Sequence, residues 1–335
     1  MLHSLRPYLL LLAVLAAAAV FSVAAGAVFI PPAAVLSILG GKANAAWPAV
    51  YEVIVLQLRL PHTLLIGLTG AALSGSGAAY QGLFRNPLAD PYLIGAASGA
   101  GLGAVLAMVL RDQGALPWLA SIPAAAFVGA LVTVGIVYLL AYGGAHGSTV
   151  PLILAGVAIS SFATALTSFL MLRSRGELYR AVAWLMGGAT MSGWEPLQAA
   201  FPYILVGLAL LLTTGHVLNV LQFGEEQAVQ MGLAVPRAKA LVVFAASLTT
   251  AAAVALSGII GFIGLTVPHL VRVRWGADYR RLLPLSMLGG AIALLLADLL
   301  ARLVMAPQEL PVGIITALVG GPFFLWIMRR SAQSF

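Results

Sequence analysis

Arg59 to Gly103 reads RLPHTLLIGLTGAALSGSGAAYQGLFRNPLADPYLIGAASGAGLG, two apolar helices joined by the polar break Arg85-Asn86-Pro87-Leu88-Ala89-Asp90-Pro91. Pro87 has no N–H and restricts Asn86, and Pro91 does the same to Asp90, so no helix runs through the break. Small residues recur at helical spacing on both sides: Gly70 with Ser74, then Gly95, Gly99 and Gly103. In water such glycines weaken a helix. In lipid they let backbones approach closely, because packing rather than exclusion from water holds the helices together. The stretch predicts two packed membrane helices, and a polar turn between them predicts a place beside a translocation path.

The whole chain agrees with that reading. Of its 335 residues 61% are hydrophobic and only 8% charged, and the mean hydropathy is +1.04, which excludes a soluble domain. A spanning helix takes about 20 apolar residues, so with connections the chain holds about ten spans. The expected spans are 8–30, 63–84, 92–110, 117–142, 150–172, 196–218, 240–256, 259–273, 282–304 and 312–328, in one transmembrane domain over 1–335. The apolar run after Arg6 is too long for a signal-peptide core and is read as a retained first span. Residues 173–194 are too polar and glycine-rich to span, and 219–239 form the longest polar interruption of the second half. Chain-wide there is no cysteine, hence no disulfide and no thiolate metal site.

The net charge of +7 is read as lysine and arginine held at one membrane face, not as nucleic-acid binding. With the N-terminus inside, Arg6, Arg85, Arg237, Lys239, Arg272, Arg274, Arg280, Arg281, Arg329 and Arg330 fall in the cytoplasm, ten of the 17 basic residues. Both termini are therefore expected to be cytoplasmic.

No enzyme constellation is present. The five histidines are scattered, none forms a His-Glu-x-x-His pair, and Gly41-Lys42 lacks the upstream glycine of a phosphate loop. The chain is expected to bind no metal and to hydrolyse no ATP by itself. Within the spans the clearest ionisable residue is Asp298, four residues before Arg302, a spacing that stacks both on one helix face as a neutralising pair. The alternative makes Asp298 the carboxylate of a proton-coupled secondary transporter. Span 150–172 carries Ser160, Ser161, Thr164, Thr167 and Ser168; these hydroxyls either bond back to their own helix or line a wet path. Gly224 to Leu233 reads as a short amphipathic helix with a glycine cap, on its own a solvated loop.

That last segment contains Glu226-x-Ala228-x-x-x-Gly232, the pattern by which importer permeases plug into their ATPase. With it stand Arg59-Leu60-Pro61, Gly70-Ala71-Ala72-Leu73, Asn86-Pro87-Leu88-Ala89-x-Pro91 and Gly95-x-x-x-Gly99-Ala100. Trp184-Leu185-Met186-Gly187-Gly188, Gly258-x-Ile260-x-Phe262-Ile263-Gly264-Leu265-x-x-Pro268-His269, Ala297-Asp298 and Glu309-Leu310-Pro311-x-Gly313 follow in order. Over nearly its whole length the chain resembles the FecCD permeases, membrane subunits of ATP-driven importers for iron–siderophores, haem and vitamin B12.

The resemblance implies an all-α fold of ten spans, the type II ABC importer permease fold, in a bacterial inner membrane. It implies a homodimer, two ATP-binding subunits inside and a substrate-binding protein outside, with ATP and magnesium on the ATPase and no cofactor in this chain. On matching positions Asn86, Pro87, Leu88, Ser148, Thr149 and Val150 would form a cytoplasmic gate. Gly224, Glu225, Glu226, Ala228 and Gly232 would couple to the ATPase, span 150–172 would line the path, and Arg59, His62 and Arg302 would meet the binding protein. The family often has arginine where this chain has His62, which weakens that contact or makes it pH-dependent. Met186-Gly187-Gly188 and Glu309-Leu310-Pro311 lean toward corrinoid-type members.

Overall fold

The helix from Leu60 to Leu83 buries 18 of its 24 residues, and the chain is wrapped around it. The structure, a computed structural model, describes residues 2–41, 47–112, 121–142, 149–173, 178–188 and 193–332. Among these the helices are α1 (Leu2–Ala24), α2 (Pro32–Leu39), α3 (Ala49–Val53), the hub α4 (Leu60–Leu83), α5 (Ala96–Asp112), α6 (Ile122–Tyr142), α7 (Val150–Arg173) and α8 (Leu178–Leu185). They continue as α9 (Trp194–Thr213), α10 (Gly215–Leu221), α11 (Glu225–Gln230), α12 (Val235–Ser257), α13 (Ile263–Trp275), α14 (Tyr279–Val304) and α15 (Val312–Ala332). The fold is all-helical, with no strand among the described residues.

Seven helical runs among the described residues are long and apolar enough to cross a membrane, and Ala96–Arg111 and Val312–Ile327 are shorter apolar helices. The segment expected as a span over 259–273 is different in kind. Its helix α13 has 13 residues, about 20 Å at 1.5 Å per residue, less than a bilayer core. It starts late because Gly258 takes φ +70° and breaks α12, and the chain runs without helix to Phe262. Backbone of that kind at membrane depth has to be satisfied inside the protein. Here the Tyr92 hydroxyl donates to the Ile260 carbonyl at 2.9 Å and accepts from the Ile260 N–H at 3.2 Å.

The first span also differs from its expected limits. α1 ends at Ala24, and the carbonyls of Val23 and Ala24 accept from Arg59 Nη1 at 2.9 and 3.0 Å. Gly26 leaves space for that guanidinium; a Cβ there would come within 2.6 Å of Arg59 Nη2. Before α4 the helix of α3 continues through a π-helical turn, Ile54–Arg59. Pro61 leaves one carbonyl of this turn open: in π pairing the Leu56 carbonyl looks to residue 61, which has no N–H. The Trp194 indole donates to that carbonyl instead, at 2.9 Å.

Glycines decide how closely the hub is approached. A Cβ on Gly70 would strike the Gly290 carbonyl of α14, one on Gly77 the Gly264 carbonyl of α13, and one on Gly99 the Gly129 carbonyl of α6. These are backbone-to-backbone contacts between helices, of the kind that dispersion makes favourable in lipid. α12 packs on α4 through Tyr80, whose hydroxyl is 2.8 Å from Ser247 Oγ. The α7 helix, by contrast, turns Leu154, Val157, Phe162, Phe169 and Leu172 outward, all more than half exposed.

Candidate functional site

The break after α4 is a compact turn held by its own side chains. Asn86 Oδ1 accepts from the Leu88 N–H at 2.9 Å, and Asp90 Oδ1 accepts from the Tyr92 N–H at 2.8 Å. Asparagine and aspartate before proline fold back in this way because the proline removes the helical alternative. Arg85 sits at φ +50°, the left-handed conformation that stops α4. Asn86, Pro87 and Leu88 are exposed and Ala89 is buried, so the turn presents a small outward lobe on a fixed base. Asp90 is half-buried, and burial pushes its carboxyl up to about 6 against the pull of the Tyr92 N–H.

The base is clamped to α13. Gln81 Nε2 donates to the Leu265 carbonyl at 3.2 Å, and Gln81 Oε1 accepts from Arg272 Nη2 at 2.9 Å. Arg272 Nη2 also donates to the Tyr279 hydroxyl at 3.3 Å. Three segments that the sequence shows far apart also meet, after α8, after α12 and at the start of α15. Gly188 N–H donates to the Ser257 carbonyl at 2.6 Å, and added Cβ atoms on Gly258 and Gly313 would strike the carbonyls of Trp184 and Met186.

At the same end of the bundle lies α11, with Gly224 before it and Gly232 (φ +84°) closing it. Its side chains divide. Ala228 is fully buried and Glu225 turns inward to Lys239 Nζ of α12 at 2.5 Å, while Glu226, Val229 and Met231 face out. Glu225 therefore belongs to the internal packing, unlike its neighbour Glu226. Gly224 lies against the break: a Cβ on it would be 3.4 Å from Arg85 Nη1. Nearby, Asp278 caps α14 through the Arg280 N–H at 3.0 Å, and the Asn219 amide donates to its carboxylate at 2.6 Å. That amide above all holds the Asp278 carboxyl below its ordinary range.

The opposite end contains the three residues expected on a docking surface, Arg59, His62 and Arg302, and each has partners within the chain. Arg302 is 7% exposed; its Nε donates to Asp298 Oδ2 at 2.9 Å, and its Nη atoms reach the Ser22 hydroxyl at 2.9 Å and the carbonyls of Ser22 and Ala25. His62 Nε2 lies 3.0 Å from the other Asp298 oxygen. A buried charge of this kind needs partners, and the carbonyls at the end of α1 supply them. Arg59 is spent in the same way on Val23, Ala24 and Val28.

On α7, Ser161, Thr167 and Ser168 donate to the carbonyls of Val157, Ala163 and Thr164 at 2.8–3.0 Å, the back-bonded arrangement. Ser161, Thr164 and Ser168 remain on the exposed side, Ser160 is half-buried and Thr167 is buried. Thr149 and Val150 stand at the start of α7, and Ser148 lies outside the described residues. Among the described residues no three His, Asp or Glu side chains come together as a metal site would require. Sequence reasoning missed the roles of Tyr92 and Ser22, whose partners lie far along the chain and carry no local signal, and the pairing of Lys239 with Glu225.

Comparison with known proteins gives one consistent answer. The model of the FecCD transport family matches residues 12–330. The cobalamin import system permease protein BtuC of Halobacterium salinarum is 46% identical over 282 residues, 84% of this chain and 75% of that one. The hemin transport system permease protein HmuU of Yersinia pestis is 44% identical over 282 residues, 83% of this chain and 84% of that one. A solved structure described as an inward-facing metal-chelate type ABC transporter superposes with TM-score 0.84 at 33% identity, covering 96% of this chain and 97% of that one. With the family matched over nearly its whole length and the helices arranged as in a solved transporter, this multi-pass membrane protein is a transport permease, and it belongs to the FecCD transport family.

Proposed function

We propose that this chain is the membrane subunit of an ATP-driven importer whose cargo is a corrinoid, haem or an iron chelate, moved by alternating access. The observation that carries this reading is the adjacency of the break and α11, with Arg85 against Gly224 at one end of the bundle. A separate ATPase pressing on the outward residues Glu226, Val229 and Met231 is then one contact away from the turn at 86–88. Two copies would pair across α7, whose exposed face carries both large apolar residues and the hydroxyls Ser161, Thr164 and Ser168. With α11 and the break in the cytoplasm, both termini are cytoplasmic, and a binding protein delivers cargo at the other face. Small and hydroxyl residues along the path make weak contacts and let the cargo leave, so selectivity rests with the binding protein.

Asp298 as a proton-coupling carboxylate is the weaker reading, because both of its oxygens are engaged by His62 and Arg302. Uptake into proteoliposomes, with the ATPase and binding protein co-purified, tests the proposal. Cyanocobalamin, haem and a ferric siderophore are offered in parallel, with and without ATP. Uptake of one cargo that requires ATP and the binding protein is expected. Uptake without ATP that Asp298→Asn abolishes would overturn the reading.

A further inference from the structure

α11 has six residues, too few to hold a helix by its own hydrogen bonds. Something else must fix it, and two contacts do. Lys239, in the second turn of α12, is 1% exposed, and a buried ammonium needs a close opposite charge to offset its lost hydration. Glu225 supplies that charge, and Ala228 one turn on is fully buried, so α11 is seated on the start of α12. α12 is in turn joined to α4 by Tyr80 and Ser247, less than one turn from the end where α4 enters the break. The second contact is direct: Arg85, held at φ +50° by the break itself, lies against Gly224.

We infer that Lys239 and Arg85 are positioning residues that fasten α11 to α12 and to the break, so that a displacement of α11 is delivered to residues 86–88. The inference rests on the reading that a partner ATPase presses on α11, and adds which residues of this chain carry the movement inward. It also splits the expected coupling set. Glu226, Val229 and Met231 are the docking face, with Val229 59% and Met231 53% exposed, whereas Glu225 is part of the linkage.

The test uses the full transporter, permease with ATPase and binding protein in liposomes, and reads cargo moved per ATP hydrolysed beside ATPase co-purification. Lys239→Met and Arg85→Ala are expected to keep the ATPase bound but to lower cargo per ATP about tenfold, within the range of contact coupling energies. The reversed pair, Lys239→Glu with Glu225→Lys, is expected to recover most of that loss. Should Lys239→Met fail to fold, Glu225→Gln, a change on a partly exposed side chain, asks the same question. The chain lacks cysteine, so spin labels at Leu88→Cys and Gln230→Cys report the separation of break and α11 directly. A broadened distance distribution in Lys239→Met or Glu225→Gln is expected. Normal cargo per ATP with an unchanged distribution would overturn the inference, as would loss of ATPase binding in Glu225→Gln, which would put Glu225 on the docking face. Normal uptake in Glu226→Arg removes the underlying reading instead, so the two failures are distinguishable.

Discussion

The two ends of this bundle are built on opposite plans. At one end Arg59, Asp298 and Arg302 bind α1, α4 and α14 together, and nearly every charged atom has a protein acceptor or donor across a long sequence separation. At the other end local bonds, Asn86 to Leu88 and Asp90 to Tyr92, shape the break, while neutral ties from Gln81 to α13 and the Glu225–Lys239 pair hold its base and α11. Local bonds survive when a segment moves as a unit; bonds between distant helices do not. The buried ion cluster makes one end a frame of three helices, whereas the break at the other end keeps its shape through its own side chains.

That contrast can be broken most severely at the frame. Gly70→Val drives a side chain into the Gly290 carbonyl of α14, and the expected result is loss of folded protein. Detergent-solubilised yield and size-exclusion profile measure it. Asp298→Ala leaves Arg302 buried without its counter-charge and should cost about 3–5 kcal/mol, read as a lowered Tm. A wild-type Tm in that variant would mean the frame does not depend on its ion cluster. Asp278→Ala, at the end that holds the break, removes a helix cap and should cost only about 1 kcal/mol. Because the folded state depresses the Asp278 pKa, this contribution is present at neutral pH and fades as pH falls through the acid range, so the variant and wild-type Tm values should converge there.

The smallest expected effect is at Asp90, whose folded pKa of about 6 lies above its ordinary value. A raised carboxyl pKa means the folded state holds the proton more tightly, so stability is greatest in acid and declines as pH rises through about 6. Asp90→Asn keeps the acceptor for the Tyr92 N–H and removes the ionisation. Its Tm should exceed wild type above pH 6 and match it near pH 4, in a pH series of thermal melts; equal curves throughout would show that the Asp90 carboxyl is solvated.

Much of the working end was legible because its signals are local. Two prolines five positions or fewer from each other specify a break without any knowledge of the rest of the chain. The i,i+4 spacing of Asp298 and Arg302 likewise announces their contact, which the structure contains at 2.9 Å. What sequence could not reveal is partnership at a distance. His62 is 236 positions from Asp298, and nothing near His62 says that the two side chains meet. Lys239 looks like one more cytoplasmic cation by composition, and only the fold places it at 1% exposure beneath α11. The late start of α13 was hidden for a related reason: apolar residues from Ile259 onward read as a span, whereas Gly258, Trp184 and Gly187 together set where the helix begins.

The π-helical turn over Ile54–Arg59 sets the rotation of the chain that precedes it. Such a turn is an α-helix carrying one surplus residue, and removing it would rotate everything before it by about 100° and draw it in by about 1.5 Å. α4, fixed by its packed glycines, would stay; α3 and the segment before it would turn. Leu56 would then leave the Trp194 indole, which now answers a carbonyl that Pro61 cannot. The surplus residue, the proline and the tryptophan thus act as one structural unit, and changing any one of the three leaves the other two without their purpose.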